Sequence, residues 1–299
     1  SASVLLECKG FSVLHTGDIH FEDQTVVPRA RPPRQHVNVL ITEATNGAIP
    51  VMPSLREETE RLARFINTVT ERNGSVLIPC FALGKMQEMI VLLYDLMRRG
   101  VIPHLPIHTG GMGTRISKVY DQYCYDHPML RPGAEISDVP QEKIFRHDLD
   151  TGDYFKRPSI VVASSGMMNR GTISYELALL WMTKPTYGIA FIGYQHPSTP
   201  GHDLMVSPKN EPFDLAGRRT RRVCEVERFR FTSHASREGL VSLIDETTPS
   251  TVVIVHGEPE ACEELALAIR DRRPGTRIII PRPGVPYDLR KRPGTVSVE

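Results

Sequence analysis

Short runs of β-branched and aliphatic residues alternate along this chain with longer stretches whose apolar positions recur every three or four residues. That rhythm predicts strands alternating with helices and an α/β layered architecture. VLLECKGFSVLHTGD (4–18) reads as two strands joined by a tight Lys9-Gly10 turn, the second ending at Asp18. The Pro/Arg-rich VVPRARPPRQH (26–36) is a loop, and VNVLIT (37–42) a short buried strand ending at Glu43. Ser54 and Glu57 have capping-box spacing ahead of a helix whose Leu55, Leu62, Phe65, Ile66 and Val69 share one face, with Gly74 placed to close it. SVLIPCF (75–81), LPIHTG (105–110), SIVVAS (159–164) and GIAFIGY (188–194) predict strands, the last leading into a Pro/Gly/His loop. LGKMQEMIVLLYDLMRR (83–99), TRISKVYDQYCY (114–125) and TISYELALLWM (172–182) predict helices. From Arg218 the texture changes. RRVCEVERFRFTS (221–233) alternates charged and apolar residues like a half-exposed strand pair. Helix REGLVSLIDE (237–246), strand TVVIV (251–255), helix PEACEELALAIRDR (259–272) and strand TRIIIP (276–281) complete the pattern, with no internal repeat.

Composition narrows this picture without deciding function. The 299 residues carry 36 Lys+Arg against 35 Asp+Glu, so no overall field marks a nucleic-acid or membrane binder and any basic surface must be local. RPPR (31–34), RRTRR (218–222) and RDRR (270–273) are such clusters, and each could equally be solvated loop or helix-end arginine. Five scattered cysteines with no CxxC pair argue against a disulfide framework and a cysteine zinc site, and fit a reducing, cytoplasmic setting. No apolar run approaches the roughly 18 residues of a membrane span. The chain opens on SASVLLECKG without methionine, with a strand almost at residue 1, as expected of a chain that has lost its beginning. GGMG (110–113) lacks the G-K-[ST] of a phosphate loop and reads as a turn, while Met86, Met89 and Met97 read as core.

In open α/β sheets, ligands sit at the carboxyl ends of strands, where loops present side chains without disturbing the core. Four ionisable residues fall at such ends: Asp18, Glu43, His234 and His256. Each alone fits a turn or capping role. Together, two carboxylates and two imidazoles are the inventory of a hydrolytic metal site or an acid/base site. His15 and His20 flank Asp18 as H-x-x-D-x-H and offer a local metal alternative, although a strand end cannot easily aim all three at one ion.

HTGD (15–18), TEATNG (42–47), IPCFALGKMQE (78–88), ASSGM (163–167), FTSHAS (231–236) and VHGE (255–258) occur in that order. In them the chain resembles, over essentially its whole length, the metallo-β-lactamase-fold nucleases with an inserted β-CASP domain. The resemblance implies a partial metallo-β-lactamase αββα sandwich from residues 1–45 and 206–299, with a β-CASP α/β domain over 46–205. It also implies zinc, two ions in the complete enzyme, and RNA as substrate in the cleft between the two parts. By it, Asp18 bridges the two ions and His256 completes one ligand set. Glu43 pairs with His234, which lies near the scissile phosphate as general acid. A carboxylate beside a histidine favours its protonated form, which suits that role. Thr232 and Ser233 keep hydroxyls at the phosphate. Ser165 and Gly166 match a loop near the RNA backbone, for which an ordinary strand-to-helix turn is an equal reading. Lys85 stands at a basic substrate position. Histidine in VHGE resembles the RNA-cleaving members, whereas the DNA-repair branch tends to have an apolar residue there.

The chain also departs from that family. The HxHxDH run that supplies most zinc ligands is absent from this sequence, as is the histidine usual just before a segment like SASVLLE. Asn46 replaces a tyrosine, AIPVMPSL replaces basic residues, and Lys85 replaces an arginine, losing its two-pronged grip on phosphate. With Asp18 and His256 alone of the ligand set, weak zinc binding is expected. One apolar sheet face would lack a partner and favour aggregation. The leading expectation is zinc-dependent hydrolysis of RNA, endo- or 5′-exonucleolytic, by the complete protein, with a homodimer possible and no membrane attachment. The rivals are a non-catalytic RNA-binding or assembly subunit and a hydrolase of another phosphoester or small ester.

Overall fold

The computed structural model describes residues 1–123, 135–145, 149 and 155–290. The chain forms two compact units. The first takes Ser1–Glu22, Arg29–Met52 and the chain from Thr232 onward, and the second takes Asp23–Pro28 and Pro53–Phe231.

In the first unit, β1 (Val4–Cys8) and β2 (Phe11–His15) form an antiparallel hairpin. Lys9 and Gly10 at its turn both have positive φ, the condition of a tight two-residue loop. β2 runs parallel to β3 (Val39–Glu43), which the late strand β12 (Thr251–Val255) joins on its other side, followed by β13 (Arg277–Ile279). Alternation along these strands separates two faces. Leu14, Leu40, Val252 and Ile254 point at helices α6 (Arg237–Thr247) and α7 (Pro259–Arg272), packing on Leu240, Ile244, Leu265 and Ile269. Val39 and Val253 point the other way, with Phe11, Val13, Ile41 and Val255 around them. On this face, where the sequence left no partner in view, Tyr287 and Leu289 pack, and Arg290 lies over the Phe11 ring. Val4 and Leu6 of β1 stay 47% and 62% exposed.

The second unit is a parallel six-stranded sheet in the order β11-β8-β4-β7-β5-β6. Its strands are β4 (Val76–Pro79), β5 (Ile107–Gly110), β6 (Glu142–Ile144), β7 (Ile160–Ala163), β8 (Gly188–Phe191) and β11 (Glu225–Arg228). β4, β5, β7 and β8 are buried along their whole length, as a parallel sheet covered on both faces requires. On one face lie α1 (Leu55–Thr70) and α2 (Lys85–Arg98), with Leu62, Ile66, Met86, Met89 and Met97 on Val76, Ile78 and Val162. On the other, α4 (Ile173–Trp181) sets Leu177 and Trp181 on Leu77, Val161 and Ile189.

Several expectations change on folding. The Ser54–Glu57 capping box is present, and α1 ends at Thr70 with Gly74 closing it. Asn73 takes the left-handed conformation, its N–H donates to the Thr70 carbonyl at 2.9 Å, and Gly74 N–H donates to the Val69 carbonyl at 3.0 Å. Gly74 also packs against the Thr186 carbonyl, where no Cβ would fit. The helix expected over 114–125 is α3 (Gly113–Tyr123), its last two expected residues lying outside the described ones. The stretch 221–233 is no strand pair. β10 (Arg218–Arg221) turns back on β9 (Pro212–Leu215), while β11 leaves to join β8, so residues 206–231 pack within the second unit. The loop after β8 hides a short helix, α5 (Pro200–Val206), capped by Thr199 with proline in its first turn. The buried Glu88 carboxylate explains why Asp23–Pro28 belongs with the second unit: it accepts from Thr25, Val26 and Val27 N–H at 2.7, 3.0 and 3.2 Å. No helix among the described residues is long and apolar enough to cross a membrane.

Candidate metal and acid–base site

β2, β3 and β12 run parallel and end at the same edge of the first unit's sheet, with Val255 in register with Glu43. The chain leaving that edge sets Asp18, Glu43 and His256 side by side, and the turn before α6 adds His234. Glu43 is 1% exposed, an expensive place for a carboxylate unless it is satisfied. Its Oε1 accepts from Ile19 N–H at 2.8 Å, and its Oε2 lies 2.7 Å from His234 Nδ1. An imidazole donates to a carboxylate at that distance, which leaves His234 Nε2 for a ligand or a proton.

His234 is held from behind as well. Its carbonyl accepts from Asn46 Nδ2 at 3.0 Å and contacts His20 Nδ1 at 3.2 Å, and its N–H donates to Thr232 Oγ1 at 3.0 Å. Asn46 also donates to Thr232 Oγ1. The Thr232 hydroxyl thus serves the His234 turn, and Ser233 lies half-buried between the two.

His256 adopts φ 51°, the left-handed region, immediately after β12. Gly257 follows because any Cβ there would stand 2.7 Å from the Ala44 carbonyl oxygen. The tight VHG corner aims the imidazole back over the sheet edge. Thr45 Oγ1 donates to the His256 carbonyl at 3.3 Å and stands 3.0 Å from His256 Nδ1. A hydroxyl has one proton, so when that proton is on the carbonyl the hydroxyl accepts from Nδ1–H and the free lone pair falls on Nε2. His256 Nδ1 lies 3.6 Å from Asp18 Oδ1, both side chains being more than half or about half exposed. The His234 and His256 rings stack, centroids 5.6 Å apart and 23° from parallel.

Asp18, His234 and His256 each offer one ligand atom, all within 4.8 Å of one another. Asp18 and His256 offer the oxygen and nitrogen donors that a catalytic zinc site uses, with the His234 ring beside them, so the cluster fits part of the shell of one divalent ion. Two four-coordinate ions would call for about eight ligand positions, more than this cluster supplies. Asp18 groups with His234 and His256 rather than with His15 and His20. His15 Nδ1 accepts from Gly17 N–H at 3.0 Å, and His20 Nδ1 is turned to the His234 carbonyl.

The other sequence-derived residues belong to the second unit. Ser165 Oγ accepts from Asn169 N–H, and the Gly166 carbonyl accepts from Gln195. Lys85 is 9% exposed, with Nζ donating to Gln24 Oε1 at 3.0 Å. Burial pushes its ammonium down to about 8, with Glu88 opposing. Sequence reasoning passed over Thr45 and saw Asn46 as a departure only; a hydroxyl and an amide within three residues of a strand-end glutamate were the available signal.

Residues 86–204 match the family model described as the Beta-Casp domain, and residues 219–281 the one described as the Zn-dependent metallo-hydrolase RNA specificity domain, together more than half of the chain. The chain is 29% identical over 273 residues to an RNase J-like protein of Methanocaldococcus jannaschii, covering 90% of this chain and 63% of that protein. It is 29% identical over 277 residues to cleavage and polyadenylation specificity factor 73 of Drosophila melanogaster, covering 90% and 40%. With transcription termination factor FttA of Methanocaldococcus jannaschii it shares 28% over 277 residues, covering 87% and 43%. The chain thus spans less than two thirds of the length of each of these relatives.

Proposed function

We propose, for a chain that belongs to the β-CASP family of metallo-β-lactamase-fold RNA nucleases, that the whole protein hydrolyses RNA phosphodiester bonds with divalent metal, zinc by its nitrogen and oxygen donors. The observation that carries this reading is the meeting of Asp18, His256 and the Glu43–His234 pair at one sheet edge. Asp18 and His256 would hold the ion, His256 through Nε2 because Thr45 occupies its other nitrogen. When bound, the metal supplies Lewis-acid stabilisation of charge on the phosphate. The second ion that the zinc pair of this family requires would need ligands beyond these. Glu43 holds the proton of His234 on Nδ1, which turns Nε2 toward the substrate, where a proton on Nε2 can be passed to the leaving 3′-oxygen. Asn46 and Thr232 keep that ring from swinging away. Free Cys8, Cys80, Cys224 and Cys262 support a reducing, cytoplasmic setting.

The test is metal content together with cleavage of RNA and DNA single strands labelled at either end, which also separates endo- from 5′-exonucleolytic action. His256→Ala should lose both metal and RNA cleavage. His234→Ala should keep metal and lose cleavage by about 10²–10⁴-fold, the usual worth of a general acid. Loss of metal in His234→Ala would make that residue a ligand instead. RNA binding with neither metal nor cleavage would make the protein a non-catalytic RNA-binding or assembly subunit.

A further inference from the structure

At the carboxyl edge of the second unit's sheet, two aromatic side chains stand in solvent beside two arginines. Phe81, two residues past β4, is 37% exposed, and Tyr194, three past β8, is 41% exposed. β4 and β8 are neighbours, and the Phe81 ring lies over Gly193, where an added Cβ would come within 3.1 Å of its Cε2. Gly166 closes on the Phe81 amide from the next loop, leaving 2.9 Å for a Cβ. Glycines on both sides let the backbone approach and fix the ring at the crest. β11, on the far side of β8, ends at Arg228 opposite Phe191, with Arg230 two residues on; both arginines are exposed. Their backbone is pinned: Arg61 donates to the Arg228 carbonyl, and Arg230 N–H donates to the buried Glu58 carboxylate. Partial burial and the adjacent Arg230 hold the Arg228 guanidinium below its usual range, with Tyr194 opposing.

Two neighbouring cations ask for an anion, and the exposed parts of the Phe81 ring and of the Tyr194 ring, which meets His196 edge-on, ask for a flat apolar partner. An apolar peptide would answer only the rings. A duplex would answer only the arginines, because its bases are already stacked on one another. An unpaired polynucleotide answers both. We infer that Phe81 and Tyr194 form a stacking platform for unpaired bases of RNA, with Arg228 and Arg230 on the phosphates that join them. The choice of RNA rests on the function proposed above; the platform itself asks only for a single strand.

The test is fluorescence anisotropy with a labelled oligouridylate of about 12 nucleotides and a duplex of equal length, in EDTA so that no metal-dependent cleavage intervenes. Phe81→Ala and Tyr194→Ala should each weaken oligouridylate binding about tenfold without changing its salt dependence, and Phe81→Tyr should retain it. Arg228→Gln should lower the salt slope by about one. Duplex affinity should not respond to either aromatic substitution. Native oligouridylate affinity in Phe81→Ala and Tyr194→Ala, both with native circular dichroism, overturns the platform, and so does equal loss on the duplex. The nuclease reading falls separately: platform binding without metal or cleavage would sink that reading and keep the platform. Normal RNA cleavage and binding in both alanine variants would sink the platform alone.

Discussion

Thr45 is a small residue with a large say in what His256 can do. Its single hydroxyl faces both the His256 carbonyl and Nδ1, and with the hydroxyl proton on the carbonyl the imidazole donates from Nδ1 and presents Nε2 unprotonated. Thr45→Val, which keeps the shape and removes the hydroxyl, should weaken metal binding by about 10–100-fold in a competitive chelator titration, the usual effect of losing a ligand's supporting hydrogen bond. The melting temperature should change little, since both groups are exposed. Asp18, Glu43 and His256 were legible because a strand-end position can be read from a hydrophobic run, whereas His234 lies past the end of β11, in the turn before α6, and was legible only through the FTSHAS motif. Thr45 was not, because its partner lies 211 residues away and nothing local marks the pairing.

Helix α2 shows where element-level reading succeeds and where it fails. Its apolar period was plain, and Met86, Met89 and Met97 lie in the core as that period required. The same period could not say that its first turn is buried too. There Lys85 meets Gln24, and Glu88 ties down the strap of residues 25–27. A lysine whose folded pKa falls to about 8 from 10.5 binds fewer protons folded than unfolded between those values. Stability should therefore rise as pH climbs from about 8 to about 10.5, by at most about 3 kcal/mol from this group. Lys85→Met should flatten that rise in urea melts across the window. β11 failed for another reason: alternation marks a strand but does not name its neighbour. The sheet it joins is set by packing of Val226 with Cys224 and Tyr187. α5 was readable in principle, since Thr199-Pro200 is a helix start, but the surrounding Pro, Gly and His residues read as loop.

At the scale of the molecule, the α/β layers followed from the alternation of runs, while the path between the units did not. The strap 23–28 and the span 206–231 sit with the second unit because of hydrogen bonds and strand pairing that no composition shift announces. On the outer face of the first unit's sheet, Tyr287 and Leu289 pack against Val39, Val253 and Ile279. Tyr287→Ala combined with Leu289→Ala should cost about 2 kcal/mol by lost apolar burial and raise binding of a hydrophobic dye. β12 is an inner strand of that sheet, yet it is made long after β3, the strand it pairs with. During synthesis the intervening unit has all of its strands first and can fold while β1, β2 and β3 still wait. The ribosome must therefore deliver residue 256 before Glu43 and His256 can meet, so a nascent chain stalled short of β12 would hold a finished second unit and a reactive centre still lacking His256.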